Sequence, residues 1–126
     1  MKHLPSRLGD QELGQFGLDA SRLLCTGNFR SLHEQFGYAL AFDREPIMAL
    51  ESDVSAVLSE VGASSFGDPN EANYKVSHFK PGEAGLISLV ECLVPTSNGR
   101  QVLLELVLTE KGSARFLTLE QVSSAT

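Results

Sequence analysis

The spacing of apolar residues changes period partway along this chain, and that change constrains its fold more than any other feature. From Asp10 to Val61 apolar residues recur at intervals of three and four, the pattern of helices with one buried face. From Tyr74 to Val122 they alternate, the pattern of half-buried strands. Helices first and strands afterwards, with no βαβ alternation, specify an α+β domain in which the helices lie to one side of an antiparallel sheet.

Leu13, Phe16, Ala20, Leu23 and Leu24 form the first stripe and predict a helix over 10–26, weakened at Gly14 and Gly17. Gly27 offers a left-handed stop and Asn28 a cap for a second helix, whose stripe is Phe29, Leu32, Phe36 and Ala39/Leu40. A third helix takes Asp43 as its cap and Pro46 in its first turn. Its stripe of Ile47, Leu50, Val54, Val57, Leu58 and Val61 stops at Gly62. The Ser, Gly, Asp, Pro and Asn residues of 63–73 then read as a connection inside one domain.

Four strands follow: Tyr74 to Phe79, Leu86 to Val94, Val102 to Glu110 and Arg115 to Val122. Pro81-Gly82, Ser97-Asn98-Gly99 and Lys111-Gly112 supply the turns between them. The expected architecture is three helices packed on a curved four-stranded meander. It divides into a flexible N-terminus at 1–9, a single domain at 10–122 and a tail at 123–126.

Parity sorts the sheet into two faces. Val90, Cys92, Val94, Val102, Leu104, Leu106 and Leu108 share one, and a two-residue turn at Lys111-Gly112 adds Leu117 and Leu119. This is the face that should receive the helices. The other is mixed: Ile87, Leu89, Glu91 and Leu93, then Leu103, Glu105 and Val107, then Phe116 and Thr118. A sheet apolar on both sides normally has both sides covered. Ile87, Leu89, Leu93, Leu103, Val107 and Phe116 are therefore the candidate dimer face.

With 126 residues, 42% hydrophobic and 21% charged, the chain has the composition of one ordinary globular domain. Its formal charge of −6, with Lys and Arg scattered, disfavours nucleic acid and acidic membrane surfaces and favours a basic protein or a neutral small molecule as partner. Glu45, Glu51, Asp53, Glu60, Asp68 and Glu71 run through the third helix and the loop after it. They are the candidate surface for steering a basic partner, in the manner of acidic inhibitors and immunity proteins. Lys2 and Arg7 are followed by no apolar run, so neither a secretory signal nor a membrane span is expected, and the default address is cytoplasmic. Cys25 and Cys92 sit among Leu and Val, as reduced core thiols do.

The string Gly27-Asn28-Phe29-Arg30-Ser31-Leu32-His33-Glu34-Gln35-Phe36 resembles the opening of the second helix in short bacterial members of the nuclear transport factor 2-like superfamily. Ser59-Glu60-Val61-Gly62 resembles the end of their third. The resemblance implies a cystatin-like cone, a fold that hosts isomerases, dehydratases, ligand binders and protein-interaction modules alike. None of the catalytic motifs of its enzymes aligns here, so the resemblance assigns no catalytic residue.

Read for chemistry, Tyr74, His78, Glu91 and Glu105 can share the mixed face, depending on register, and form a proton-transfer pocket if enclosed. Phe16, Phe29, Phe36, Tyr38 and Phe42 either fill the core or line the mouth of a cone around an apolar ligand. His33-Glu34 has no second His a turn later, and with His3 and His78 it makes no metal-ligand spacing. Gly9 and Gly14 are followed by Gln15 where a phosphate loop needs Lys, and no Gly-x-Ser-x-Gly elbow is present. The sequence thus favours a non-catalytic interaction module without metal or cofactor, meeting a protein partner or a second copy of itself. The alternative is a small-molecule binder or an isomerase- or dehydratase-like enzyme using the cone.

Overall fold

The computed structural model describes residues 2–4, 8–80 and 85–125. Strand β1 (Lys2–Leu4) precedes helices α1 (Asp10–Cys25), α2 (Phe29–Phe36) and α3 (Pro46–Glu60). Strands β2 (Asn73–His78), β3 (Leu86–Pro95), β4 (Gln101–Lys111) and β5 (Ala114–Ser124) follow. The sheet runs in the order β1-β5-β4-β3-β2 with every pairing antiparallel, and its two edges stay apart, so it does not close. Three helices on an antiparallel sheet is the expected α+β arrangement, but the sheet has five strands instead of four. The extra one is β1, taken from the stretch expected to be flexible: three residues are too few to show a period in sequence. It pairs with β5 because His3 meets Phe116 ring to ring and Leu4 reaches the core. The expected turn at Pro81-Gly82 lies outside the described residues.

Asn28 caps α2 by accepting from the Ser31 N–H at 3.3 Å, and Gly27, Gly37 and Gly62 end the helices with φ near +72°. Two boundaries differ from expectation. Gly37 stops α2 before Ala39 and Leu40, which go into a separate 3₁₀ turn (Ala39–Ala41). The cap of α3 is Glu45, not Asp43, because the residue before Pro46 is held extended and its carboxylate accepts the Met48 N–H at 2.7 Å.

Val90, Cys92, Val94, Val102, Leu104, Leu106, Leu108, Leu117 and Leu119 all point under the helices and are buried, as their parity implied. They pack against Leu13, Ala20 and Leu24 of α1, Leu32 and Phe36 of α2, and Leu50, Val54 and Val57 of α3. A Cβ on Gly14 would lie 2.2 Å from the Tyr74 ring, and one on Gly17 would lie 2.5 Å from Cys92 Sγ. The two glycines that weaken α1 as a helix are what let it lie close on β2 and β3.

Both long hairpins carry a β-bulge. One falls between Leu86 and Ser88 on β3, the other on β5 opposite Glu105 and Leu106. Each inserts a residue, Ile87 in the first and Glu120 in the second, and sharpens the local twist. The final turn is Gly112-Ser113, closed by the pair Lys111 and Ala114, one residue later than the sequence suggested.

Candidate functional site

Register divides the sequence candidates into two groups whose side chains leave the sheet on opposite faces. Tyr74 pairs with Cys92 and His78 with Ser88, so both belong to the helix-facing side. Glu91 pairs with Glu105, on the opposite side. The four-residue proton-transfer pocket therefore does not assemble: Tyr74 lies over Gly14 of α1, and His78 hydrogen-bonds to its first turn. Period alone left the strand offset free, and a shift of one residue moves a whole strand to the other face.

Nothing among the described residues covers the second face of the sheet. Its rows, read across β2, β3, β4 and β5, are Asn73, Leu93, Leu103 and Ser123; then Lys75, Glu91, Glu105 and Gln121; then Ser77, Leu89, Val107 and Thr118. Leu86, Thr109, Phe116 and His3 continue the field toward β1. Of the expected dimer-face residues, Leu89, Leu93, Leu103, Val107 and Phe116 are here, each at least partly open to solvent. Ile87 is not. The bulge turns it under the helices to pack on the core, and Leu86 takes the position opposite Thr109.

The polar row crosses the middle of this apolar field. Gln121 Nε2 donates to Glu105 Oε1 at 2.7 Å, while Glu91 has no hydrogen-bond or ion-pair partner among the described residues. Like charges directly opposed across strands destabilise the pair. Beside them a cavity of about 220 Å³ opens to solvent between Asn73, Tyr74, Lys75, Glu91, Leu93 and Leu103. It is smaller than the roughly 300–1,000 Å³ of ordinary small-molecule sites.

The acidic residues singled out in sequence are largely engaged within the chain. Glu45 caps α3, Asp68 caps the 3₁₀ turn at Pro69–Glu71 by accepting from Asn70 N–H at 2.9 Å, and Glu60 accepts from Ser124 Oγ at 2.8 Å. Asp53 accepts from Arg44 Nη1 and Nη2, both at 2.9 Å, and from the Tyr38 hydroxyl. The Arg44 guanidinium holds the Asp53 carboxyl below its usual range, and burial with the Asp53 bond pushes the Tyr38 phenol up. Glu51 and Glu71 are exposed without such roles.

Arg44 also closes the connection between α2 and α3. Its backbone N–H donates to the Ala41 carbonyl at 3.0 Å, its Nε to the same carbonyl at 3.2 Å, and its Nη2 to the Leu40 carbonyl at 2.7 Å. Phe42, inside this turn, has φ 53° and ψ −122°. That is the first central position of a type II′ turn, where glycine is the relaxed residue, and a bulky side chain there costs about 1–3 kcal/mol. Phe42 is the one non-glycine with positive φ among the described residues, and it is 80% exposed. The other aromatics of its stripe serve the core: Phe36 and Tyr38 are buried in it, and Phe16 and Phe29, partly buried, pack against it.

A constellation with no signal in the sequence joins three distant residues. Ser88 Oγ lies 2.7 Å from His78 Nδ1, and His78 Nε2 lies 2.6 Å from Asp10 Oδ1. Ser, His and Asp in a chain invite comparison with nucleophilic catalysis, but Ser88 is 3% exposed and its oxygen has no room for a substrate. The two ring nitrogens instead tie the first turn of α1 to β2 and β3. Burial pushes the thiols of the partly buried Cys25 and the fully buried Cys92 up to about 11, the direction opposite to that of an activated thiolate.

Comparison of the chain with protein-family models, curated proteins and solved structures found no match. No helix among the described residues is long and apolar enough to cross a membrane.

Proposed function

We propose that this protein is a non-catalytic interaction module and that the uncovered face of its sheet is where it meets a protein. The observation that carries the reading is the apolar field of Leu89, Leu93, Leu103, Val107 and Phe116 on a face that no helix covers. Fields of this kind mark association surfaces. The enzyme alternative draws little support from the site, because Tyr74 and His78 are separated by the sheet from Glu91 and Glu105.

Between a second copy and a different chain, the polar row favours the different chain. A two-fold stack centred on the row would bring the Glu91 and Glu105 carboxylates of both copies together, with only Lys75 from each to offset them. A partner placing an Arg or Lys over the Glu91–Glu105 pair, with aliphatic neighbours on either side, satisfies both the charge and the apolar field. The net charge of −6 steers such a partner toward the surface. The scaffold itself we read as a short relative of the nuclear transport factor 2-like cone. Its element order and the two bulges that twist the sheet support that reading.

The paired substitution Leu89→Asp with Val107→Asp tests the function. Neither side chain contributes to the helix-packed core, but the two positions are directly opposed across β3 and β4, so the paired carboxylates should lower the thermal midpoint by several degrees and leave the protein folded. Association should disappear, whether seen as self-association in sedimentation or as co-purification from the native source. Association that survives the pair, or a wild type that associates with nothing, contradicts the reading.

A further inference from the structure

A separate feature is the turn Ala41–Arg44, which joins α2 to α3 on the helical side of the sheet. Phe42 occupies a backbone conformation that glycine adopts freely and other residues rarely do. An aromatic there would be understandable if its ring filled the core, but the ring is 80% exposed. The residue thus costs conformational energy and returns no burial. Around it the chain is over-determined: Arg44 makes its bonds to the Ala41 and Leu40 carbonyls and its two-pronged pair with Asp53, which Tyr38 secures from below. A strained conformation persists only when its surroundings hold it, and such positions gather where recognition takes place.

We infer that this turn is a recognition knob, which presents the Phe42 ring, from a backbone already held in place, to an apolar pocket on a partner protein. An aromatic anchor held in its bound conformation loses little entropy on docking, which is how single residues come to dominate interfaces. Met48, in the first turn of α3, is 69% exposed and adds a second apolar group on the same connection. Asp43 and Glu45 flank the knob and both are exposed, Glu45 while capping α3 through one carboxylate oxygen, whereas the Arg44 charge is matched by Asp53. The pocket that fits is therefore apolar in its floor and basic at its rim. A lipid surface fits less well, because the flanking carboxylates would have to be drawn into the headgroups with the ring. The knob does not depend on the sheet-face reading and stands or falls separately from it.

The test combines a stability measurement with site-specific cross-linking. Phe42→Gly relaxes the turn and removes no buried surface, so its thermal midpoint should rise by a few degrees. A photo-reactive p-benzoylphenylalanine at position 42, introduced into the full chain in the cells that make it, should yield one discrete protein adduct. The same group at Phe79, another partly exposed aromatic, should not. The adduct's cross-linked segment should be apolar and bordered by Lys or Arg. Excess purified wild-type protein should compete its formation away, and the Phe42→Gly protein should fail to do so. A lower midpoint for Phe42→Gly would show that the ring serves the fold and would overturn the inference. So would the absence of a discrete adduct, competition by the glycine variant, an acidic target segment, or Phe42-dependent co-sedimentation with phosphatidylcholine vesicles. If the Leu89→Asp with Val107→Asp protein still forms the adduct, the knob stands whatever becomes of the sheet face.

Discussion

At the scale of single residues, Gly14 and Gly17 have opposite effects on local and tertiary structure. Each lowers helix propensity by about 1 kcal/mol relative to alanine, and a stabilising Gly→Ala change would be the expectation for an isolated helix. In the folded protein a methyl group at Gly17 meets Cys92 Sγ at 2.5 Å and Val90 Cγ1 at 2.9 Å, both fixed in the core. Overpacking of that kind costs about 1–3 kcal/mol, so Gly17→Ala should lower stability in chemical denaturation despite the better helix. At Gly14 the methyl group meets the outer atoms of the Tyr74 ring, which is partly exposed and can swing away, so Gly14→Ala should come out near neutral. Cys92→Ala in the Gly17→Ala background should recover part of the loss, and simple additivity of the two changes would contradict the packing account. The glycines were visible in the sequence as weak points of a helix. Their purpose was not, because it lies in residues on strands far along the chain.

At the scale of elements, the helical stripes and the core face of the sheet were legible because burial imposes a period on them; Leu13, Leu24, Leu32, Phe36, Leu50, Val54 and Leu119 lie where that period put them, whereas Ala39 is exposed and Ile47 stays outside the core. Offsets between strands were not legible. The Tyr74 and His78 side chains went to the helix side and Ile87 left the open face, in the first case through register and in the second through a bulge that no turn residue announces. The connection between α2 and α3 was equally hidden, since it depends on Arg44 reaching from the turn into α3. Its strength should depend on pH in a defined direction. The Asp53 carboxyl is held below its usual range by Arg44, so its contribution is complete above the ordinary carboxylate range and is lost as the pH falls through the depressed value. Tyr38 behaves oppositely: its phenol is pushed up, so its contribution is complete below an ordinary tyrosine pKa and is lost only as the pH rises beyond that. Asp53→Asn should cost about 1 kcal/mol at neutral pH once solvent screening is allowed for. The difference from wild type should shrink in acid, as measured by urea unfolding at several pH values. A difference that stays constant down to strongly acidic pH would contradict the assignment.

At the scale of the whole molecule, one layer of helices serves one face of a sheet whose other face is mixed, its aliphatic pairs Leu93–Leu103 and Leu89–Val107 divided by the Glu91–Glu105 pair. That asymmetry was legible from parity alone, and the structure retains it: the helices cover one side except at its β2 edge, where Tyr74 and His78 are exposed, and no described residue covers the other. What the sequence could not supply was the arrangement of charge on the open side, since Glu91 and Glu105 become a pair only once register is fixed. That pair moves the reading from self-association toward a partner bearing a cation. The proposed surface also shifts, from the acidic helix α3, where Asp53, Glu60 and the capping Glu45 are engaged within the chain, to the sheet.

The most direct measurement is of solvent access at that sheet face in the protein's own setting. Leu89→Cys and Val107→Cys, each placed in a Cys25→Ser background and labelled by a maleimide, report on the centre of the face, and the remaining native thiol, Cys92, is fully buried. In dilute purified protein both new cysteines should react readily. Inside the cells that make the protein they should be protected, while Glu51→Cys on the exposed side of α3 should react equally in both settings. Protection confined to positions 89 and 107 is the result expected of a face that meets a partner. Equal labelling at all three positions would contradict it.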